Sequence, residues 1–396
     1  MIGMKVVQIN TFPYKATGNI MLQIHDVLQE LGHESYIVWG RGRQAENKHE
    51  FSIEDPIGTS VHGVITRIFD RTGFASWRAT RKLIAYLEEL EPDIVHLHNL
   101  HGYYLNIEML FNYLNNKKHV KVVWTIHDCW PITGHCAYFS AIHCDKWKSG
   151  CYKCPQKHTY PKSSLFDLSK RNWQMKKKLF TGREIQLVTP SYWLKSILQQ
   201  SFLNQNNIKV IYNGLDTDVF KPTKAKGFKK KYVLGVANEW TERKGLQDFL
   251  ALRQVLSDDY DIVLIGLNKE QIKKLPKGII GLKKTKSAKE LAEWYSSAEV
   301  FVNLSVEETM GMTTVESLAC GTPVIVYNST ALPEVVDENS GIVINEIHNV
   351  QAVADAIVDI TKKGHFQCRS VAAKYEKKKQ FCKYVDLYEE LLRGFK

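Results

Sequence analysis

The sequence predicts an α/β protein made of two doubly wound parallel sheets. Short runs rich in Val and Ile alternate with stretches whose apolar residues recur at helical spacing, which is typical of parallel strands connected by helices. A stretch containing Lys and Gly interrupts this pattern between Asp216 and Lys231, after which the same rhythm begins again. We therefore expect two Rossmann-like domains that face each other across a cleft.

The first domain is expected to span residues 1–220. Its strand candidates are Lys5–Ile9, Ser35–Val38, Ile94–His98, Lys121–Ile126, Ile185–Thr189 and Lys209–Tyr212. The helical patterns between these strands include Ile20–Glu30 and Arg81–Leu90. The strands are mostly uninterrupted apolar runs, as expected for a sheet covered by helices on both faces.

The second domain is expected to span residues 221–375. Its strand candidates are Tyr232–Val236, Ile262–Ile265, Val300–Leu304, Pro323–Val326 and Gly341–Ile344. Its helical patterns include Leu246–Leu256, Ala288–Ser296, Thr314–Ala319 and Val350–Thr361. The last stretch, Lys374–Leu392, is predicted to form one amphipathic helix.

The composition leaves several classes of partner open. The net charge is +11, from 53 Lys and Arg against 42 Asp and Glu, and a basic surface attracts nucleic acids, anionic lipids and nucleotide sugars alike. The sequence contains neither GxGxxG nor GxxxxGK[ST], which counts against a nicotinamide dehydrogenase and a P-loop NTPase. No apolar run reaches the roughly 18 residues of a membrane span, and the first residues are typical of a strand rather than a signal peptide, so we expect a cytoplasmic protein.

Ligands of open parallel sheets bind beyond the carboxyl ends of the strands, and two candidates follow strands of the first domain. Gly18 would let a phosphate or sugar approach backbone N–H groups, with a tight turn as the alternative. His127 can bind a phosphate or a sugar hydroxyl, with a purely structural histidine as the alternative.

In the second domain, Arg243 and Lys244 stand at the start of a helix, where the helix dipole disfavours positive charge. An anion bound between the two side chains would offset this conflict. The alternative is that both cations are simply solvated.

The strand that ends near Leu304 is followed by two carboxylates, Glu308 and Glu316, separated by seven residues. Between them, Gly311, Met312 and Thr313 are placed to offer free N–H groups at the start of a helix, where phosphates bind well. Glu316, further along that helix, can accept hydrogen bonds from two ribose hydroxyls. This spacing is the most specific signal in the chain.

Taken together, these motifs resemble glycosyltransferase family 4, whose members are retaining enzymes with the GT-B fold. The resemblance extends over nearly the whole chain and is strongest for members that build bacterial exopolysaccharides such as colanic acid or capsule. The matching strings are PDIVHLHNLHG (92–102), WTIHD (124–128), VTPSYWL (188–194), IYNGLDTDVFKP (211–222) and the block over 281–325 that contains E-x7-E. The resemblance implies that residues 376–396 form a helix that crosses back to the first domain.

The resemblance also assigns roles to individual residues. Glu308 would face hydroxyls of the donor sugar, Glu316 would bind the ribose, and Lys244 would neutralise the diphosphate. The backbone N–H groups that hold the distal phosphate would belong to Gly311, Met312, Thr313 and Thr314.

Three further positions complete the donor site that the resemblance implies. His127 would contact the donor sugar or its phosphate, and Gly18 would lie under the diphosphate. Many relatives carry an arginine where this chain has Asn238, and we expect Arg243 to supply the missing charge. Catalysis, assigned to His127, Glu308, Lys244 and Arg243, would then require no cofactor besides the nucleotide-diphosphate sugar, a UDP- or GDP-sugar.

The acceptor is expected to be a saccharide or a lipid-linked saccharide. Candidate contacts are His98, His101, Tyr103 and Tyr104, each of which has a structural alternative. The basic and aromatic segment Arg67–Leu90 could rest on an anionic membrane, which would place the protein at the inner face of the cell membrane; the alternative is an ordinary surface helix.

Five of the eight cysteines fall within a predicted insertion over residues 129–160. Four of them have the spacing C-x7-C-x6-C-x2-C and predict a structural zinc site: Cys136, Cys144, Cys151 and Cys154. Cys129, His135 and His143 are alternative ligands, and free thiols are the alternative to a metal. Disulfides do not suit the expected compartment.

Two rival functions are less well matched by the sequence. A GT-B sugar-nucleotide epimerase would need acid and base carboxylates around the sugar. A basic, zinc-containing nucleic-acid-binding protein would need a second C-x2-C or a recognisable module, and the sequence has neither, so no nucleic-acid partner is expected.

Overall fold

The computed structural model describes residues 3–223 and 230–394. It divides into two compact units, Met1–Ile211 with Gln380–Lys396 (unit 1) and Tyr212–Lys379 (unit 2). The sequence placed the corresponding divisions after residues 220 and 375. Within the stretch between Asp216 and Lys231 that separates the two predicted domains, residues 224–229 lie outside the described residues.

Unit 1 contains a seven-stranded sheet in which every strand pair is parallel, in the order β3-β2-β1-β4-β5-β6-β7. The strands are β1 (Lys5–Asn10), β2 (Glu34–Trp39), β3 (Glu50–Ser52), β4 (Ile94–Leu97), β5 (Lys121–Thr125), β6 (Gln186–Thr189) and β7 (Ile208–Val210). The six predicted strands are confirmed to within two residues at each end. The edge strand β3 was missed because its three residues, EFS, carry no recognisable pattern.

Helices cover both faces of this sheet. They are α1 (Lys15–Glu30), α2 (Pro56–Phe69), α3 (Trp77–Leu90), α4 (Ile107–Asn116), α5 (Lys146–Ser149), α6 (Ser169–Phe180) and α7 (Tyr192–Gln199). Side chains alternate across each strand, so Val7 packs in one core with Leu83 and Leu110, while Val6 packs on the opposite face with Ile24.

Unit 2 contains a six-stranded sheet, also with parallel pairs, in the order β10-β9-β8-β11-β12-β13. The strands are β8 (Lys231–Val236), β9 (Tyr260–Ile265), β10 (Ile279–Leu282), β11 (Val300–Asn303), β12 (Val324–Tyr327) and β13 (Gly341–Ile344). The five predicted strands are confirmed. The edge strand β10 was missed because it is only partly buried and includes a glycine.

The helices of unit 2 are α8 (Leu246–Val255), α9 (Lys269–Lys273), α10 (Ala288–Ser297), α11 (Met312–Ala319), α12 (Val350–Lys363) and α13 (Cys368–Ala372). Cores on the two faces of the sheet contain Val263 with Leu318 on one side and Leu264 with Ile357 on the other. Within residues 3–223 and 230–394, no helix is both long and apolar enough to cross a membrane.

The last helix, α14 (Lys377–Arg393), begins three residues later than predicted because Ala373–Tyr375 form a 3-10 turn and Glu376 is extended. From Gln380 onward it belongs to unit 1. The Tyr388 hydroxyl lies 2.7 Å from His96 Nδ1, and the Tyr384 hydroxyl lies 3.1 Å from Thr125 Oγ1. The C-terminal helix therefore supplies hydrogen-bond partners for His96 of β4 and Thr125 of β5.

Removing the Tyr388 hydroxyl should destabilise unit 1. In Tyr388→Phe, the buried imidazole of His96 loses its partner at Nδ1, and leaving such an atom unpaired costs about 1–3 kcal/mol. We expect a lower urea midpoint for unfolding. The control is Asp386→Asn, an exposed position on the same helix. Equal midpoints for Tyr388→Phe and the unmodified chain would contradict the proposed contribution.

Candidate functional site

Two loops of unit 2 meet at the carboxyl ends of the neighbouring strands β8 and β11. The ammonium of Lys244, at the end of a 3-10 turn after β8, forms an ion pair and hydrogen bond with the Glu308 carboxylate in the loop after β11. Arg243 Nη1 donates to the Glu307 carbonyl at 2.5 Å, and the Val306 N–H donates to the Arg243 carbonyl at 2.9 Å. The structure thus brings Arg243, Lys244 and Glu308 together, although they are more than 60 residues apart in the sequence.

This close approach requires a glycine at position 245. Gly245 has φ +75°, and a Cβ there would lie 2.3 Å from the Leu304 carbonyl oxygen. A side chain would therefore force the two loops apart.

The surroundings of Glu308 keep its carboxyl ionised. Burial alone would raise its pKa, but the positive charges of Lys244 and Arg243, together with hydrogen bonds from Lys244 and Ser305, lower the pKa below its ordinary value. The backbone of Glu308 is fixed independently, since its N–H donates to Thr330 Oγ1 at 2.8 Å. This residue therefore presents a negative charge at neutral pH.

Helix α11 begins directly after this loop. Gly311 takes the left-handed conformation, with φ +80°, as the residue before the helix. Met312 and Thr313 occupy the first turn, where N–H groups have no acceptor within the helix. The N–H of Thr314, in contrast, donates to the Gly311 carbonyl at 2.9 Å. Of the four predicted phosphate-binding positions, Thr314 therefore has its N–H engaged within the chain.

Glu316 lies one turn further along α11. One of its oxygens accepts a hydrogen bond from the Tyr295 hydroxyl at 2.9 Å, and the other has no partner among the described residues. Burial raises the pKa of Glu316 to about 7, and the hydrogen bond from Tyr295 opposes this rise. Tyr295 was not predicted, because nothing in its helical pattern marks it as a residue of the site.

A cavity of about 580 Å³ opens at the same edge of the sheet, where β8, β9 and β10 end. Asn238 is exposed at its border. The other lining residues include Trp240, Gly266, Lys269, Lys283 and Lys284. The cavity thus combines a predicted donor-site position with three cations that sequence reasoning did not single out.

In unit 1, the candidate histidine His127 follows β5 and is half-buried. Its Nε2 lies 3.0 Å from His98 Nδ1, and His98 Nε2 lies 3.2 Å from Gln8 Oε1. Burial lowers the pKa of His127 to about 4, so its ring is neutral at pH 7. Gln8 was not predicted, although a polar residue inside the apolar run KVVQIN was an available signal.

Gly18 lies in the first turn of α1, which begins at Lys15 rather than at the predicted Ile20. A Cβ at Gly18 would stand 2.6 Å from the Phe12 carbonyl oxygen and 2.9 Å from the Pro13 carbonyl carbon. The close approach that this glycine permits is therefore that of the chain's own loop, in agreement with the structural alternative.

Two of the four predicted acceptor contacts are interior residues. His98 and Tyr104 are each only 1% exposed, and the Tyr104 hydroxyl donates to the Asn99 carbonyl at 2.7 Å. Tyr104 is therefore a structural residue, since its ring fills the core and its hydroxyl already has a partner. His98 can act only through His127.

His101 and Tyr103 are less deeply enclosed. His101 Nε2 lies 2.8 Å from Asp128 Oδ2, and His101 Nδ1 lies 2.9 Å from the Tyr160 hydroxyl. Tyr103 is partly exposed and adopts φ +67°. Tyr160, itself half exposed, is a residue near the candidate contacts that sequence reasoning missed.

The prediction of a zinc site is not supported by the arrangement of the cysteines. Cys136, Cys144, Cys151 and Cys154 line one small cavity and form no disulfide. However, across residues 3–223 and 230–394 no three His, Cys, Asp or Glu side chains are grouped as metal ligands. The thiols instead make hydrogen bonds: Cys136 with Cys154, and the Gly134 N–H with the Cys151 sulfur at 3.2 Å. The hydrogen bond from Cys136 lowers the pKa of Cys154 below its ordinary value.

The comparisons with known proteins decide the family. A family model described as Glycosyltransferase Family 4 matches residues 17–219, which is half of the chain, and one described as Glycosyl transferases group 1 matches residues 230–363. The chain belongs to glycosyltransferase family 4. The resemblance seen in the sequence motifs is thereby confirmed, and the two rival functions lose support.

The relatives of this glycosyltransferase include a protein from Escherichia coli (strain K12) named "Putative colanic acid biosynthesis glycosyl transferase WcaC". The two are 25% identical over 94% of this chain and 96% of the relative. Sucrose-phosphate synthase from Thermosynechococcus elongatus has a similar structure, with a TM-score of 0.72 and 16% identity. The match covers 99% of this chain and 100% of the synthase. Anabaena Alr3699/HepE, solved with UDP and glucose, also has a similar structure, with a TM-score of 0.64 and 14% identity. This match covers 98% of this chain and 99% of that protein. These structural matches confirm the GT-B fold.

The raised pKa of Glu316 predicts a specific dependence of stability on pH. The native carboxyl holds a proton up to about pH 7, whereas the unfolded chain releases it near pH 4.5. Stability from this group is therefore present below pH 4.5 and is lost as the pH rises to 7. Between pH 5 and 8 the unfolding free energy should fall by roughly 1–2 kcal/mol more than in Glu316→Gln, after a discount for partial exposure.

Urea unfolding of both proteins at the two pH values measures this difference. The control is Glu270→Gln, which removes an exposed carboxylate on α9 and should leave the pH profile parallel to that of the unmodified chain. A parallel profile for Glu316→Gln as well would show that Glu316 titrates normally.

Proposed function

We propose that this glycosyltransferase moves a sugar from a nucleotide-diphosphate sugar to a saccharide or lipid-linked saccharide, with retention of anomeric configuration, in the synthesis of a bacterial surface polysaccharide. The observation that carries the proposal is the Lys244–Glu308 ion pair beside the start of α11. Positive charge and free N–H groups suit a diphosphate, and a carboxylate suits sugar hydroxyls. The name of the E. coli relative supports the polysaccharide.

The reaction breaks the bond between the anomeric carbon and the diphosphate oxygen, through a transition state resembling an oxocarbenium ion. The new bond from the acceptor oxygen forms on the same face, and the acceptor's hydroxyl proton passes to the leaving phosphate. Lys244, Arg243 and the N–H groups of Met312 and Thr313 would stabilise the negative charge that develops on the leaving group. No covalent intermediate and no metal ion are needed in this scheme.

The nucleotide has its own set of contacts in unit 2. The unpartnered oxygen of Glu316, with the one that Tyr295 holds, would accept the two ribose hydroxyls. The cavity beyond β8, β9 and β10 offers about 580 Å³ for the base, and Asn238 at its border occupies the place of the arginine of many relatives. Either UDP or GDP is compatible with this space.

Loss of Lys244 should abolish most of the transfer activity. Removing one group that stabilises a developing oxyanion typically costs a factor of about 100–1,000 in turnover, and Lys244→Ala removes a full charge. Glu308→Gln should also lower turnover. The control is Lys231→Ala, which removes an exposed lysine at the opposite end of β8.

Thermal-shift screening of UDP-, GDP- and ADP-sugars identifies the donor. Sugar transfer is then measured as release of the nucleotide. Unchanged transfer in Lys244→Ala would refute the site.

A surface of unit 1 supports contact with an anionic membrane. The segment Arg67–Leu90 forms parts of two helices joined by a turn rather than one continuous stretch. On α2 and α3 five large apolar side chains are more than 40% exposed: Ile57, Val61, Val64, Phe69 and Trp77. Arg78 and Arg81 are exposed beside them and have no partner among the described residues. Apolar side chains beside unpaired cations suit a lipid surface that bears negative charge.

Charge reversal on this surface should weaken membrane binding. Each arginine near an anionic surface contributes about 1 kcal/mol, so Arg78→Glu with Arg81→Glu should reduce binding to vesicles containing phosphatidylglycerol by at least about tenfold. Cosedimentation measures the bound fraction, and neutral phosphatidylcholine vesicles should bind little. The control, Lys286→Glu with Lys289→Glu, makes the same change of charge on exposed residues of unit 2. Equal loss in both double variants would show that only net charge matters.

A further inference from the structure

A line of three buried or half-buried side chains leads from the core of unit 1 to the candidate histidine His127. Gln8 Nε2 donates to the Met21 carbonyl of α1 at 3.1 Å. Gln8 Oε1 faces His98 Nε2, and His98 Nδ1 faces His127 Nε2. The hydrogen bond between Gln8 and the Met21 carbonyl can run in only one direction, and the directions of the other two hydrogen bonds follow from it.

The Met21 carbonyl oxygen can only accept, so the amide of Gln8 must turn its NH₂ group toward it. Its Oε1 therefore faces His98, and His98 Nε2 must carry the proton. His98 is 1% exposed and no carboxylate contacts it, so burial lowers its pKa well below the ordinary value and the ring is neutral. Its Nδ1 then has a lone pair and can only accept.

The proton between the two histidines must consequently come from His127 Nε2. Because His127 is also neutral, its Nδ1 carries a lone pair. Nδ1 has no partner among the described residues and is not one of the buried unpartnered atoms, so it reaches the surface of unit 1.

We propose that Gln8 and His98 are positioning residues that hold His127 as the Nε2–H tautomer, so that its Nδ1 accepts a hydrogen bond from a hydroxyl of the donor sugar. This inference rests on the proposed function, and it makes that function more specific. A phosphate oxygen has no proton to donate to a lone pair and would be repelled by it. The tautomer therefore favours the sugar over the phosphate as the partner of His127.

The tautomer can be measured without any substrate. In the full-length chain labelled with ¹⁵N-histidine at pH 7.5, the His127 ring should show the shift pattern of an Nε2–H imidazole. A variant in which His127 is replaced by Asn assigns the signal. An Nδ1–H pattern in the unmodified chain would contradict the hydrogen-bond directions proposed for Gln8, His98 and His127. This outcome is independent of whether the chain transfers a sugar.

One substitution tests the role of Gln8. Gln8→Met keeps the size of the side chain and removes the acceptor of His98, so the His127 signal should shift toward a mixture of tautomers. Turnover should fall about tenfold, the effect of roughly one hydrogen bond. A fixed Nε2–H pattern in Gln8→Met would show that Gln8 does not set the tautomer.

The identity of the ligand group is tested by two additions to the labelled protein. The nucleotide sugar found in the donor screen should shift the His127 Nδ1 resonance, whereas the corresponding nucleoside diphosphate without sugar should leave it in place. Equal shifts from both ligands would assign His127 to the phosphate and overturn the sugar contact. If the nucleotide sugar binds and leaves the resonance unmoved, the sugar contact is again refuted.

Discussion

The ion pair between Lys244 and Glu308 joins the two loops that leave β8 and β11, the adjacent strands at the centre of the second sheet. The loops come close only because Gly245 has no side chain to strike the Leu304 carbonyl. Helix α11 begins directly after the loop that contains Glu308, so the position of its free N–H groups depends on this contact. Arg243 adds a second positive charge beside the Glu308 carboxylate, and its guanidinium donates to the Glu307 carbonyl.

The interior of unit 1 depends on a different constraint, the pairing of polar side chains in buried strands. Gln8, His96 and His98 lie on β1, on β4 and just after it, with almost no exposed surface. Each would be costly to bury alone. They are accommodated because each has hydrogen-bond partners: the Met21 carbonyl for Gln8, Tyr388 and Thr125 for His96, and Gln8 and His127 for His98. Such a network restricts the side chains to one arrangement.

Much of the architecture could be predicted from periodicity, because strands buried on both faces give clear Val- and Ile-rich runs. The edge strands β3 and β10 were missed, since a short or half-exposed strand has no such run. In the candidate site, Glu308 and Glu316 were found because both lie near one loop in the sequence. Tyr295 and Thr330 could not be found, because they reach the site through tertiary packing alone. The cysteine spacing suggested zinc, yet spacing alone does not show whether four sulfurs converge on one point.

The division of the chain has a consequence for its biosynthesis. Unit 1 contains both the first 211 residues and the last 17, from Gln380 to Lys396. During translation, the partners of His96 and Thr125 on α14 leave the ribosome only after every residue of unit 2 has been made. Domains usually mature in the order of their synthesis. Here the unit that is begun first is completed only after unit 2, so His96 and Thr125 lack their tyrosine partners until α14 has been made.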